Sequence, residues 1–119
     1  MTNLDSASPP LDMAELIDEI DADMVPVVFE SFLDDTKNIM ETLRSNLEAG
    51  QADLLRKCAH KVKGCCTTLR AHNAAALAKR IEQAADKSDL QAARQMLEEF
   101  ASEYQRVLDF VQNYLATAV

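Results

Sequence analysis

Cys58-Ala59-His60-Lys61-Val62-Lys63-Gly64-Cys65-Cys66 is the stretch whose reading settles what kind of chain this is. With its flanks it places Leu55, Cys58, Val62, Cys65, Cys66 and Leu69 at three- and four-residue spacing, which at about 100° per residue gathers them on one face of a helix. His60 falls almost opposite that apolar face, and Gly64 follows one turn later on the same outward side. Glycine inside a helix costs about 1 kcal/mol relative to alanine. A helix accepts that cost most readily where a side chain would stand in something's way.

Around this helix the composition points the same way. The 119 residues make one domain, long enough to bury a single core without staples. Two glycines, three prolines, no tryptophan and plentiful alanine, leucine, glutamate and lysine favour helix over sheet, so the expected class is all-α. No apolar run approaches the roughly 18 residues of a membrane span, and the N-terminus lacks a basic start followed by an apolar block. A cytoplasmic protein without membrane partners is expected. The three cysteines read as small, reduced core residues rather than a disulfide framework. They project away from His60, so no shared metal site is expected.

A net charge of −8 argues against nucleic acid as a partner. Its distribution is uneven: residues 1–53 sum to −11, residues 54–81 to +7 and residues 82–119 to −4. The chain therefore displays one basic island, centred on the His60 helix. Charge complementarity between neighbouring helices accounts readily for Arg70, Lys79 and Arg80. It accounts less readily for Arg56, Lys57, Lys61 and Lys63 crowding around one histidine.

Residues 1–10, closing on Pro9-Pro10, read as a flexible tail ahead of a helical domain over residues 11–117. Asp12 and Glu15 resemble a capping box opening a short helix to about Ile20, with Met13, Leu16, Ile17 and Ile20 on its apolar side. Asp21 and Asp23 break it, and Pro26 fits the first turn of the next helix. That helix is expected as one rod from about Val25 to Ala49, ended by Gly50 as a natural C′ residue. The His60 helix follows from about Ala52 to Arg70. Ala71-His72-Asn73 makes a turn, with Asn73 capping a helix from about Ala74 to Asp86. His72 has no partner group at helical spacing and reads as a plain surface residue. Ser88 and Gln91 offer another capping box before a long helix from about Asp89 to Ala116. Short turns between these rods predict an antiparallel up-down four-helix bundle, with the short N-terminal helix capping one end.

An exposed imidazole has an ordinary pKa of about 6.5, so at physiological pH it can act as a nucleophile through one nitrogen while the other is held by a hydrogen bond. A phosphoryl adduct would carry roughly two negative charges, which Lys63, Lys61 and Arg56 are placed to offset. Other chemistries fit less well. A cysteine nucleophile would need His60 beside it, a metal hydrolase would need acids on the same face, and no Gly-rich phosphate loop exists.

Ala59-His60-Lys61-Val62-Lys63-Gly64, followed by small residues, resembles the signature of histidine-containing phosphotransfer (HPt) domains. The likeness extends from Leu11 to about Val111 and includes the Phe29/Phe32-Leu33 region, the acidic stretch after it, and Leu77 to Glu82. The resemblance implies a phosphorelay intermediate without kinase activity of its own. His60 would take a phosphoryl group on Nε2 from the aspartyl phosphate of a receiver, such as that of a hybrid histidine kinase, and pass it to a response-regulator receiver. Lys63 would match the lysine that neutralises the phosphate, Gly64 the glycine that lets the receiver approach, and Glu82 the position that holds the other imidazole nitrogen. No cofactor is implied on this chain; Mg²⁺ would sit on the receiver. Two departures stand out: Arg70 occupies a position where the family often has glycine, and Cys65-Cys66 replaces the usual serine or alanine.

Partner contacts are expected from Arg56, Lys57, Lys61 and Thr67 around the histidine. Further contacts are expected from Phe29, Leu33 and Met40, because the second helix carries an apolar stripe about 140° wide, broader than one neighbour needs. A monomer leaves this face accessible. Two alternatives stay open at this point: a helical module that docks on a receiver or kinase without being phosphorylated, and a redox- or metal-responsive bundle using the cysteines.

Overall fold

The computed structural model describes residues 8–117, and every regular element in them is helical. α1 spans Met13–Glu19 and is followed by one 3-10 turn, Ala22–Met24. The remaining helices are α2 (Val25–Asp35), α3 (Ile39–Glu48), α4 (Ala52–Thr68), α5 (His72–Asp86) and α6 (Leu90–Thr117). The expected tail lies partly outside the described residues. Of its described part, the Ser8 carbonyl accepts a hydrogen bond from the Arg106 guanidinium of α6.

The rod expected from Val25 to Ala49 is two helices. Asp34-Asp35-Thr36-Lys37-Asn38 has no apolar residue and low helix propensity. Thr36 Oγ1 donates to the Phe32 carbonyl at 2.8 Å, a back-bond that bends helices. The Thr36 carbonyl in turn accepts from the Ile39 N–H at 3.1 Å and from the Tyr104 hydroxyl of α6 at 3.2 Å. Those partners replace the regular ladder, and the chain restarts as α3.

Three helix ends are built alike. Gly50, Arg70 and Ser88 all take positive φ, of 69°, 61° and 57°. In each case the next residue's N–H reaches back to a carbonyl five residues earlier: Gln51 to Asn46, Ala71 to Cys66, and Asp89 to Ala84. These are Schellman caps, which satisfy the orphan carbonyls of α3, α4 and α5. Only one uses the glycine that the motif favours. The starts differ from expectation too. α5 begins at His72 without a side-chain cap, so Asn73 lies inside it. α6 is capped by Asp89, whose Oδ1 accepts the Ala92 N–H at 3.1 Å, and not by Ser88, which is occupied in the left-handed turn.

Each long helix packs on its sequence neighbour: α3 on α4, α4 on α5 and α5 on α6, with α6 returning to α2 and α3. Phe29, Leu43, Leu55, Val62, Leu69, Ile81, Leu97, Phe100, Val107 and Val111 fill the centre. The return of α6 is an aromatic seam: Phe29 meets Tyr114 edge-on at 5.1 Å between centroids, and Phe100 stacks on Tyr104 at 5.4 Å. This circuit sets the α4–α5 seam diagonally across from the seam between α6 and α2–α3.

α1 is fastened to the turn between α4 and α5. The Asp12 N–H donates to the Arg70 carbonyl at 3.0 Å, and Asp12 Oδ1 caps α1 through the Glu15 N–H at 3.0 Å. The Glu15 carboxylate does not complete a capping box. Its Oε1 lies 3.2 Å from Arg70 Nε and 2.9 Å from His72 Nε2, so His72 does have a partner, supplied from α1.

Candidate functional site

α4 carries the imidazole on its solvent side because its other faces are committed. Leu55, Ala59, Val62, Cys66 and Leu69 are fully buried, while the His60 side chain is 63% exposed. Cys58 and Cys65 are half-buried along the α2–α3 side, and only Cys66 sits wholly in the core. Burial pushes the Cys66 thiol up to about 12, and it raises Cys58 and Cys65 as well. The cysteines are thus kept as thiols, away from His60.

Across the α4–α5 seam stands Glu82, twenty-two residues on from His60 and 19% exposed. Its Oε2 lies 2.8 Å from His60 Nδ1, and its Oε1 lies 2.9 Å from Lys63 Nζ. Burial raises the Glu82 carboxyl, but the hydrogen bonds and charges of Lys63 and His60 outweigh it and hold the group below its ordinary value. An ionised carboxylate only accepts, so Nδ1 carries the proton and donates. The lone pair of the neutral ring is then on Nε2, directed outward. One carboxylate fixes both the ring's orientation and its tautomer.

A Cβ added at Gly64 would meet nothing within 4 Å. No intramolecular crowding explains the glycine, and its φ is not in the left-handed region. The open space over it is continuous with the histidine face, where Thr67 is also exposed, its hydroxyl donating to the Lys63 carbonyl at 2.9 Å.

The basic island is more compensated than its sequence implies. Asp53, one residue before it, takes Arg56 at 2.9 Å and Lys57 at 3.3 Å, and these two cations hold its carboxyl below the ordinary range. Lys61 points the other way, into a groove shared with Asp34, Asp35 and Lys37. Arg70 is tied to Glu15 and Glu19.

The apolar docking residues need correction. Phe29 has no exposed surface and belongs to the core, where truncation to alanine would cost about 3–5 kcal/mol. Leu33 and Met40 are half-buried in a groove with Tyr104 and Leu108 of α6, on the seam across the molecule from His60. A separate apolar groove lies between α2 and the C-terminal part of α4, and its most exposed member is one that the stripe gave no reason to single out. Val27, Val28, Ser31 and Phe32 form a groove with Cys65, Thr68 and Leu69, and Val27 is 55% exposed. Thr68 lies two turns on from His60, about 12 Å along α4 and about 80° round it. The signal was Val27 itself, an apolar residue one step off the buried stripe.

Asp12, Glu15 and His72 bring three ligand-type atoms within 4.8 Å of one another. The Arg70 guanidinium on Glu15 already supplies the positive charge there. No helix among the described residues is long and apolar enough to cross a membrane.

No curated protein is detectably similar in sequence. Among solved structures, the crystal structure of histidine-containing phosphotransfer protein B (HptB) from Pseudomonas aeruginosa PAO1 is similar, with a TM-score of 0.82 and 29% identity, over 92% of this chain and 96% of that one. Residues 27–110 match the Hpt domain, a span that contains His60, Lys63, Gly64 and Glu82 together. The chain belongs to the Hpt domain family.

Proposed function

We propose that this protein relays a phosphoryl group between the aspartates of receiver domains through phospho-His60. The observation that carries the reading is the Glu82 carboxylate, which holds His60 Nδ1 at 2.8 Å and leaves Nε2 as the outward nucleophile. Nε2 attacks the phosphorus of an aspartyl phosphate; the N–P bond forms as the P–O bond breaks, and the electron pair leaves with the receiver's carboxylate. The reverse step on a second receiver regenerates the neutral ring. The chain is a carrier in this scheme, and a receiver's Mg²⁺ stays with the receiver.

The receiver of a hybrid kinase and that of a response regulator would dock on the same face of one monomer. Gly64 gives clearance, Lys63 and Arg56 meet the receiver's acidic pocket, and Lys57 and Thr67 border it, while Lys61, turned toward Asp34 and Asp35, lies to one side. The groove of Val27 and Val28 is the apolar part of this surface. Residues 11–117 act as one domain. Its helices read as an antiparallel up-down four-helix bundle in which α2 and α3 form one broken rod, and α1 crosses the end near Arg70. The short turns capped at Gly50, Arg70 and Ser88 support that topology.

Incubation with a phosphorylated receiver tests the reading. Acid-labile, alkali-stable phosphate is expected on the wild type and none on His60→Ala. Binding of the receiver without label would favour a docking module instead, and label persisting in His60→Ala would place the chemistry elsewhere.

A further inference from the structure

Glu82 is engaged on both sides before any phosphoryl group arrives. One oxygen meets Nδ1 of His60 at 2.8 Å and the other meets Nζ of Lys63 at 2.9 Å. The carboxylate is 19% exposed and Lys63 28% exposed, so solvent competes little for either. Lys63, one turn on from the histidine on its own helix, is therefore already paired in the resting protein. Arg56 does not stand in for it, since its guanidinium is anchored on Asp53 at 2.9 Å, although it feels the charges of Asp86 and Glu82.

We propose that phosphorylation of His60 hands Lys63 over from Glu82 to the phosphoryl group, while the newly cationic ring takes Lys63's place on Glu82. The inference rests on the phosphotransfer reading above. At rest the trio holds a neutral ring, one ammonium and one carboxylate. When the Nε2 lone pair forms the N–P bond, Nδ1 keeps its proton and the ring gains one positive charge. Glu82 is then neutralised by the ring alone. The phosphoryl oxygens bring roughly two negative charges within reach of Lys63, which becomes the cation with the most to gain by moving. When a receiver carboxylate takes the phosphoryl group, the N–P pair returns to Nε2, the ring is neutral again, and Glu82 recaptures Lys63.

Glu82 is in this sense a positioning residue for two groups, and its charge is what the hand-over needs. Glutamine could still accept from Nδ1–H, but its amide NH₂ would face Lys63 with a donor and hold nothing. The tautomer would survive and the coupling would not.

The test uses potassium phosphoramidate, which phosphorylates histidine without a receiver, and lysine ammonium ¹⁵N–¹H spectra of the full chain. The Lys63 signal is identified by its loss in Lys63→Met. In the wild type a resolved Lys63 signal is expected at rest, moving when His60 is phosphorylated. In Glu82→Gln it is expected to vanish into solvent exchange at rest and return on phosphorylation. A Lys63 signal indifferent to Glu82→Gln, or one unmoved by phosphorylation in the wild type, overturns the hand-over. Failure of phosphoramidate to modify His60 overturns it as well. Modification by phosphoramidate but by no receiver overturns only the partner reading.

Discussion

Arg70, in the turn after α4, reaches α1 and places its Nη2 2.7 Å from Glu19 Oε2. The same side chain holds Glu15 and donates to the Thr67 and Thr68 carbonyls, while its backbone sits at φ 61°. A non-glycine residue in that conformation costs about 1–2 kcal/mol. The side-chain bonds offset the strain. Arg70→Ala keeps the strain and loses the bonds, so it should destabilise by about 1–2 kcal/mol in urea denaturation, with faster hydrogen exchange in α1. Arg70→Gly loses the same bonds but relieves the strain, recovering roughly 1 kcal/mol. Equal stability of the two variants would show that the turn is not strained.

Gly64 has open space above it, so alanine fits the resting fold. Gly64→Ala should raise stability by about 1 kcal/mol while slowing transfer from a phosphorylated receiver at least about tenfold. Unchanged transfer kinetics would remove the clearance role and leave the glycine unexplained.

The lowered Glu82 carboxyl makes a pH-dependent contribution. Its folded value lies below the ordinary 4.5, so the ionised form favours the native state. That contribution is present above about pH 4.5 and is lost as pH falls through the folded value. The stability difference between wild type and Glu82→Gln should therefore narrow as the solution is taken from about pH 6 to about pH 3. A constant difference across that range would mean the carboxylate's charge is not what the site uses.

Cys66 is fully buried, its thiol pushed up to about 12. Alkylation of the native protein at about pH 8 should leave it unmodified, while all three cysteines react once the chain is unfolded. Mass spectrometry reads the outcome. Native labelling of Cys66 at the rate of Cys58 or Cys65 would contradict its placement in the core.

The helix of His60 was legible because its apolar residues and its histidine lie on opposite faces, and helical spacing determines such faces directly. The partnership of His60 with Glu82 was not visible in spacing alone, since it spans two helices; it entered through the family likeness. The break at Thr36 was hidden by arithmetic. Phe32, Leu33, Ile39 and Met40 keep helical register across the interruption, so periodicity runs through a bend made by a hydroxyl and a distant tyrosine. The left-handed turns at Arg70 and Ser88 escaped for a related reason: tertiary bonds and local caps hold conformations that residue type does not advertise. Width of an apolar stripe also misled, because α2 and α3 face α6 as well as α4. Phe29, Leu33 and Met40 spend their apolar surface there.

The circuit of helices has a consequence for the order of assembly. The contacts of α3 on α4, α4 on α5 and α5 on α6 join segments adjacent in sequence and separated by a tight cap, so they close small loops. The clasp of Tyr104 on Thr36 and of Tyr114 on Phe29 joins distant parts of the chain, as do the Arg44–Glu98 ion pair of α3 on α6 and the ties of α1 to Arg70. A clasp across so long a stretch of chain should close late in folding, and it lies on the side of the molecule away from His60. Substitutions there should chiefly speed unfolding and leave the folding rate little changed. The face that carries His60 is thus framed by the contacts that should form first.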